Sequence, residues 1–288
     1  MNQSVAKIGK WIEITIKKYH FLILERTSTL YLAKFPNFVP HYNFNQHVSM
    51  SHLYPIEIVS LGPGDPELIT LKSLRKLQKA DFIYCPATDD ASGKQFSKAS
   101  DIVVALGIDT DKIRRYHLPM NHNREGAVQA YAKLCEEAKS LQNEGCRVVI
   151  AAEGDSGFYS STQSVYELLH DEGVDVRRTA GIPAFIAAGA KAGLHLTCRN
   201  ERLVVLPGTA TETELENLVA AQCTVVIMKL SACAEAVCSY LHKHPEVNCH
   251  YFERLGSEDE YYTSSLPDML TRNFPYFSLL LIIPSYRK

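Results

Sequence analysis

Two α/β lobes in one chain are what this sequence predicts, and three observations carry the prediction. Short runs rich in Val, Ile and Leu recur and break at turns containing glycine or proline; segments with helical apolar spacing follow those turns; and the alternation runs from about residue 55 to residue 284. At 288 residues, 46% hydrophobic and 22% charged, the chain has enough apolar material for two modest cores.

The elements follow in order. The run from Ile56 to Leu61 reads as a strand entering the turn Gly62-Pro63-Gly64-Asp65-Pro66. Leu68, Leu71, Leu74 and Leu77 then repeat at helical spacing, with Lys72, Arg75, Lys76 and Lys79 on the opposite side. Residues 81–86 form a short buried strand that Pro86 ends, and a helix over 127–143 leads past Gly145 into a strand over 147–152. A helix over 160–170, with Val165, Leu168 and Leu169 inward, stops at Gly173. The lobes meet around 172–181, which gives an N-terminal lobe of 55–174 and a C-terminal lobe of 175–288. The second lobe reads as helix 183–192, strand 202–206, helix 212–221, strand 224–228, helix 232–242 and a terminal strand 277–283. Helical crossovers between strands imply largely parallel sheets covered on both faces, in the second half as in the first.

Residues 1–54 differ in texture. They hold Trp11, the only tryptophan, and many aromatic residues without helical or strand period, and Pro36 and Pro40 interrupt any long element. They are expected to be a poorly ordered extension outside the catalytic fold. Thirty Lys and Arg against 32 Asp and Glu leave a net charge of −2, so no global basic field exists to grip nucleic acid or an anionic membrane. The apolar run from Leu279 to Ile283 is far shorter than the ~20 residues of a spanning helix. Eight scattered cysteines without a Cys-x-x-Cys pair read as reduced thiols of a cytoplasmic protein, with no metal site.

Ligands of open α/β sheets bind beyond the carboxyl ends of strands, so the strand-to-helix turns draw attention. Three stand out. Gly62-Pro63-Gly64-Asp65-Pro66 has neither the Gly-Lys-Ser/Thr of a phosphate loop nor the third glycine of a dinucleotide fingerprint. Read alone it is first a strand–helix turn capped by Asp65, and second a place where backbone meets ligand. Glu153-Gly154-Asp155-Ser156-Gly157-Phe158-Tyr159-Ser160 offers an acidic strand end suited to ribose hydroxyls or an ammonium, and equally a capping turn. Thr179-Ala180-Gly181-Ile182-Pro183-Ala184 opens a small-residue helix and also reads as plain tight packing.

In this order and separation the three turns resemble the tetrapyrrole methylase family. The detail is similar to its precorrin-2 C20-methyltransferase branch: residues 62–72, Ala152-Glu153-Gly154-Asp155 with Phe158-Tyr159-Ser160, then residues 200–208, Val226-Ile227-Met228-Lys229-Leu230 and Tyr276-Phe277-Ser278-Leu279. The resemblance covers about residues 55–284. It implies a two-lobed class III methyltransferase fold with the active site in the inter-lobe cleft, S-adenosyl-L-methionine as cofactor, a tetrapyrrole substrate and a homodimer. It carries cofactor contacts onto Pro63, Glu153, Gly154, Asp155, Phe158, Pro183, Ala184 and Met228. Two positions depart from the family pattern: Ser156 stands where a proline usually follows Gly-Asp, and Pro183 stands where a Ser or Thr hydroxyl is usual.

The resemblance implies methyl transfer to an electron-rich meso carbon, for which near-attack geometry in a water-poor cleft is the main requirement; no residue is assigned as catalytic. The substrate's acetates and propionates demand cations. Arg199 and Arg202 lead a pool that includes Lys191, Lys229, Arg254 and Arg124. His117 and His122 flank a loop that reads either as surface or as part of the cleft.

Overall fold

The computed structural model describes residues 53–89, 95–119 and 124–284. The expected extension lies outside these residues except at its end, where Tyr54 is held to the fold. Its ring stacks under Arg147 at 4.4 Å, its hydroxyl accepts from the same guanidinium, and its carbonyl accepts from Gln142.

The first sheet is the parallel one. Strands β1 (Ile56–Ser60), β2 (Phe82–Asp89), β4 (Ile113–His117), β5 (Val148–Ala152) and β6 (Val176–Arg178) pair in the order β4-β2-β5-β1-β6, and a two-residue strand β3 (Gln95–Phe96) pairs antiparallel to β2. Both faces are buried, as crossover helices require. Ile56, Ile58, Val148 and Ile150 pack beneath helices α3 (Arg124–Asn143) and α4 (Thr162–Asp171), whereas Val59, Leu61, Val149 and Ala151 face α1 (Leu71–Lys79) and α2 (Lys98–Ala105). Strand β6 lies beyond the boundary drawn at 174/175 yet pairs with β1, so the chain leaves the first sheet after Arg178.

Two local expectations change. The helix expected from Leu68 begins at Leu71, because Asp65 first caps a separate 3₁₀ turn, Pro66–Leu68, and Thr70 then caps α1. Its inward stripe is consequently Ser73 and Leu77, with Leu71 on the surface. Pro86 does not end its strand. The N and O of one strand residue point to the same side, and the Pro86 carbonyl accepts from the Ser97 hydroxyl, so the missing N–H leaves no gap in the ladder to β4.

The second sheet does not repeat the first. Strands β7 (Leu203–Leu206), β8 (Thr224–Met228), β9 (Asn248–Glu253), β10 (Tyr261–Thr263) and β11 (Ser278–Ile283) lie in the order β10-β9-β11-β8-β7, and only β7 and β8 run parallel. One face, with Val225, Ile227, Tyr251 and Leu280, is covered by α6 (Glu212–Ala220), α7 (Ala234–Lys243) and α8 (Leu266–Leu270). The other, with Val226, Phe252, Leu279 and Leu281, packs against α5 (Ala184–Lys191) and Phe158 of the first lobe. Among the described residues, no helix is long and apolar enough to cross a membrane.

Candidate active site

Parallel pairing puts the carboxyl ends of β1, β5 and β6 side by side, and the three turns meet there. The first two are joined by a backbone bridge, with Gly154 N–H donating to the Gly62 carbonyl at 2.7 Å and Gly62 N–H to the Gly154 carbonyl at 3.1 Å. The third is tied in by Thr179: its carbonyl accepts from the Ser60 and Ser156 hydroxyls, and its own hydroxyl accepts from Ser60 N–H. Ser156, where proline is usual in the family, thus supplies a hydroxyl that a proline lacks. Gly181 lies so close to the Gly154 carbonyl that a Cβ there would collide with it and sit 2.5 Å from Ser60 Cβ.

Asp155 is the clamp of this cluster. One carboxylate oxygen accepts from Gly157 N–H at 2.8 Å and the other from Gly181 N–H at 2.6 Å, which fixes the second turn to the third. Gly154 adopts φ +67°, and nothing lies within 4 Å of where its Cβ would be, so the main chain at this turn is open to a ligand. Pro183 caps α5 without a side-chain hydrogen bond, as the lost Ser or Thr requires.

Phe158, Ala184 and Met228 come together on the inner face of the second sheet, where the Phe158 ring lies 5.6 Å from Phe185. Tyr159 carries the same turn onto that sheet through a bond from its hydroxyl to the Val205 carbonyl at 3.2 Å. The segments after β7 and β8 also meet, because a side chain at Gly208 would press on the Lys229 main chain. The first turn crosses the lobe junction: Gly64 leaves no room for a Cβ beside the Leu255 carbonyl, and Gly256 none beside Asp65 N. Beside this contact opens a cavity of about 290 Å³, walled by Pro63, Leu68, Ile182, Ile186 and Leu255, with Asp65 and a Lys191–Glu260 ion pair among its polar groups.

Glu153 directly follows β5. Its carboxyl accepts from Ala99 N–H at the start of α2, next to Lys98, and burial raises its pKa above the usual glutamate range against the pull of the Lys98 charge. Lys98 was not legible as a site residue. Its ammonium lies 3.5 Å from the Pro63 carbonyl, 3.4 Å from the Leu255 carbonyl and 5.2 Å from the centre of the Phe277 ring, and burial lowers its pKa. Arg199 and Arg202 are exposed, Arg199 with φ +50°. Lys191 is engaged by Glu260, and Arg254 lies 3.9 Å from Asp259. His117 ends β4 on the surface with Asp89 at 2.8 Å, and His122 lies outside the described residues.

The chain is similar to several known proteins. The chain is 32% identical over 171 residues, 59% of its length and 70% of the relative's, to the "Probable cobalt-precorrin-2 C(20)-methyltransferase" of Methanocaldococcus jannaschii. It is 27% identical to the precorrin-2 C(20)-methyltransferase of a Sinorhizobium species, over 78% of this chain and 93% of the relative. Among solved structures it shares its fold with cobalt precorrin-4 methyltransferase at a TM-score of 0.60 and 21% identity, covering 80% of this chain and 94% of that one. The uroporphyrin-III C-methyl transferase of Thermus thermophilus complexed with S-adenyl homocysteine gives 0.57 at 19% identity, covering 81% and 99%. The model of the Tetrapyrrole (Corrin/Porphyrin) Methylases matches residues 55–269, and the chain belongs to that family.

Proposed function

We propose that this protein transfers the methyl group of S-adenosyl-L-methionine to the meso carbon C20 of precorrin-2 or of its cobalt-bound counterpart, cobalt-factor II, as a step of corrin synthesis. The observation that carries the reading is the match to a precorrin-2 C(20)-methyltransferase along 93% of that protein, which takes in both lobes.

The residues present fit the cofactor. The cavity beside Pro63 and Ile182 has apolar walls for an adenine and carboxylates for hydroxyls and an ammonium, and the open backbone at Gly154 lets a ligand lie against the main chain. Pro63, Gly154, Asp155, Phe158, Pro183 and Ala184 would hold it from the turns and their flanks, and Met228 from the second-lobe wall. Bound there, the sulfonium supplies an electrophilic methyl group. The turn cluster fixes its own backbone before any ligand arrives, so ordering cost on binding is small. Arg199 and Arg202 meet the substrate carboxylates, and the active assembly is a homodimer. The net charge of −2 favours a small anionic substrate held by local cations over a nucleic acid.

Incubation with labelled cofactor and each of the two tetrapyrroles tests the reading. Transfer of one methyl group to either is the expected result. Transfer to uroporphyrinogen III alone would assign another ring position within the family, and cofactor binding without transfer to any tetrapyrrole would make the protein a binding module.

A further inference from the structure

The cavity beside Pro63 runs along helix α5, and its wall changes character from one end of the helix to the other. Near the Pro183 cap it is apolar, with Ile182 and Ile186. At Lys191, the last residue of α5, it is charged, because Lys191 pairs there with Glu260 from the segment between β9 and β10. At 1.5 Å per residue, about 7.5 Å of helix axis separates Ile186 from Lys191. The Glu260 side chain is 12% exposed, and its second oxygen accepts from Gly256 N–H at 2.7 Å; the Lys191 side chain is 52% exposed. A bridge with so open a partner adds little to stability, so the fold alone gives weak reason for it. Asp65, whose main-chain N lies against Gly256, brings a second carboxylate to the same wall. One of its oxygens accepts from Glu67 N–H at 2.8 Å, and the other has no hydrogen-bond partner among the described residues. Two carboxylates against one ammonium leave the cavity an excess of negative charge.

We propose that Lys191 and Glu260, with Asp65 on the same wall, bind the amino acid end of S-adenosyl-L-methionine and select the intact cofactor over nucleosides that lack that end. This role rests on the seating of the cofactor in the cavity, proposed above. An α-amino acid carries its ammonium and carboxylate on one carbon, and an acid and a base side by side are its complement. The Lys191 ammonium donates to the carboxylate of the ligand, and the Glu260 carboxylate accepts from its ammonium. The Gly256 N–H keeps Glu260 in place, so the long, open Lys191 side chain is the part that turns toward the ligand. Sulfonium, ammonium and carboxylate give the cofactor one net positive charge, which the second carboxylate of the cavity balances. The nucleoside end then lies toward the apolar wall and the three turns.

Calorimetric titration of the full chain with three ligands tests this. They are S-adenosyl-L-methionine, its decarboxylated analogue, which keeps the ammonium, and 5′-methylthioadenosine, which has neither group. In the wild type the intact cofactor should bind about 10–100-fold more tightly than the decarboxylated analogue, the worth of one charge-assisted contact. Lys191→Met should bring that ratio below about threefold by weakening the intact cofactor alone. Glu260→Gln should weaken the decarboxylated analogue about tenfold, and methylthioadenosine should bind all three proteins within about twofold. The two variants lose different contacts, so either one decides the question if the other fails to fold. Ile186→Trp, which fills the apolar part of the cavity, should weaken all three ligands by about tenfold or more. If it does so while Lys191→Met and Glu260→Gln keep the wild-type affinities, the proposal falls alone. If Ile186→Trp binds all three ligands as the wild type does, the seating of the cofactor falls and takes the proposal with it.

Discussion

The two sheets of this molecule do opposite work at the same junction. In the first, parallel pairing brings the carboxyl ends of β1, β5 and β6 to one edge, where glycines, serines and Asp155 knit three turns into a polar cluster. The second, largely antiparallel, gathers only the segments after β7 and β8 in that way and offers an apolar wall of Val226, Met228, Phe252 and Leu279. The difference teaches that polar turn geometry gathers where parallel strands end together, and that the second lobe contributes an apolar surface.

The comparison breaks first at the glycines. Gly256→Ala forces a side chain into Asp65 N at a φ of +75° and should cost about 3 kcal/mol, while weakening cofactor binding by parting the lobes. Thermal melting and calorimetry on the same variant check both effects. Asp155→Ala removes two charge-assisted bonds to main-chain N–H groups and should cost about 2–3 kcal/mol. Its melting temperature should therefore fall along with its affinity; an unchanged melting temperature would free Asp155 for ligand contact alone.

Two glutamates sharpen the contrast. Glu253 in the second sheet takes a two-pronged bond from Arg272, at 2.8 Å from each nitrogen, and the Tyr251 hydroxyl at 2.8 Å; the Arg272 bond holds its pKa below the usual range. Its stabilising contribution is present above the unfolded value of about 4.3 and is lost as pH falls through the lower folded value. Burial shifts Glu153 the other way, so its contribution is present below about 4.3 and is lost as pH rises through the raised folded value. Glu253→Gln should cost about 2 kcal/mol at neutral pH and remove the acid loss, whereas Glu153→Gln should remove the opposite slope. Denaturant titrations at pH 3, 5 and 7, read as order-of-magnitude differences, decide the signs. The smallest effect belongs to Arg202→Ala, an exposed site where stability should move by less than about 0.5 kcal/mol while methyl transfer falls.

The turns and both lobes were legible because their residues act locally: a glycine at a strand end, a cap at a helix start. Strands β4, β9 and β10 and helices α2 and α8 were missed; in β10 and α8, three and five residues carry too little period to read. The antiparallel course of the second sheet was missed because strand direction leaves no mark in hydrophobicity. Glu153 sits in a recognisable motif, yet the partner that turns it toward α2 is Lys98, 55 positions earlier, and no spacing rule joins them. Tyr116 was hidden for the same reason: its orphan hydroxyl is a property of packing between β4, α3 and the end of β5.

Carbon NMR of the product formed from methyl-labelled S-adenosyl-L-methionine and precorrin-2 or cobalt-factor II tests the central claim most directly. A macrocycle held by its carboxylates against one wall can bring a single carbon within about 3–3.5 Å of the methyl donor. The account predicts one new methyl signal, on the meso carbon C20. A new methyl on any pyrrole-ring carbon would contradict it.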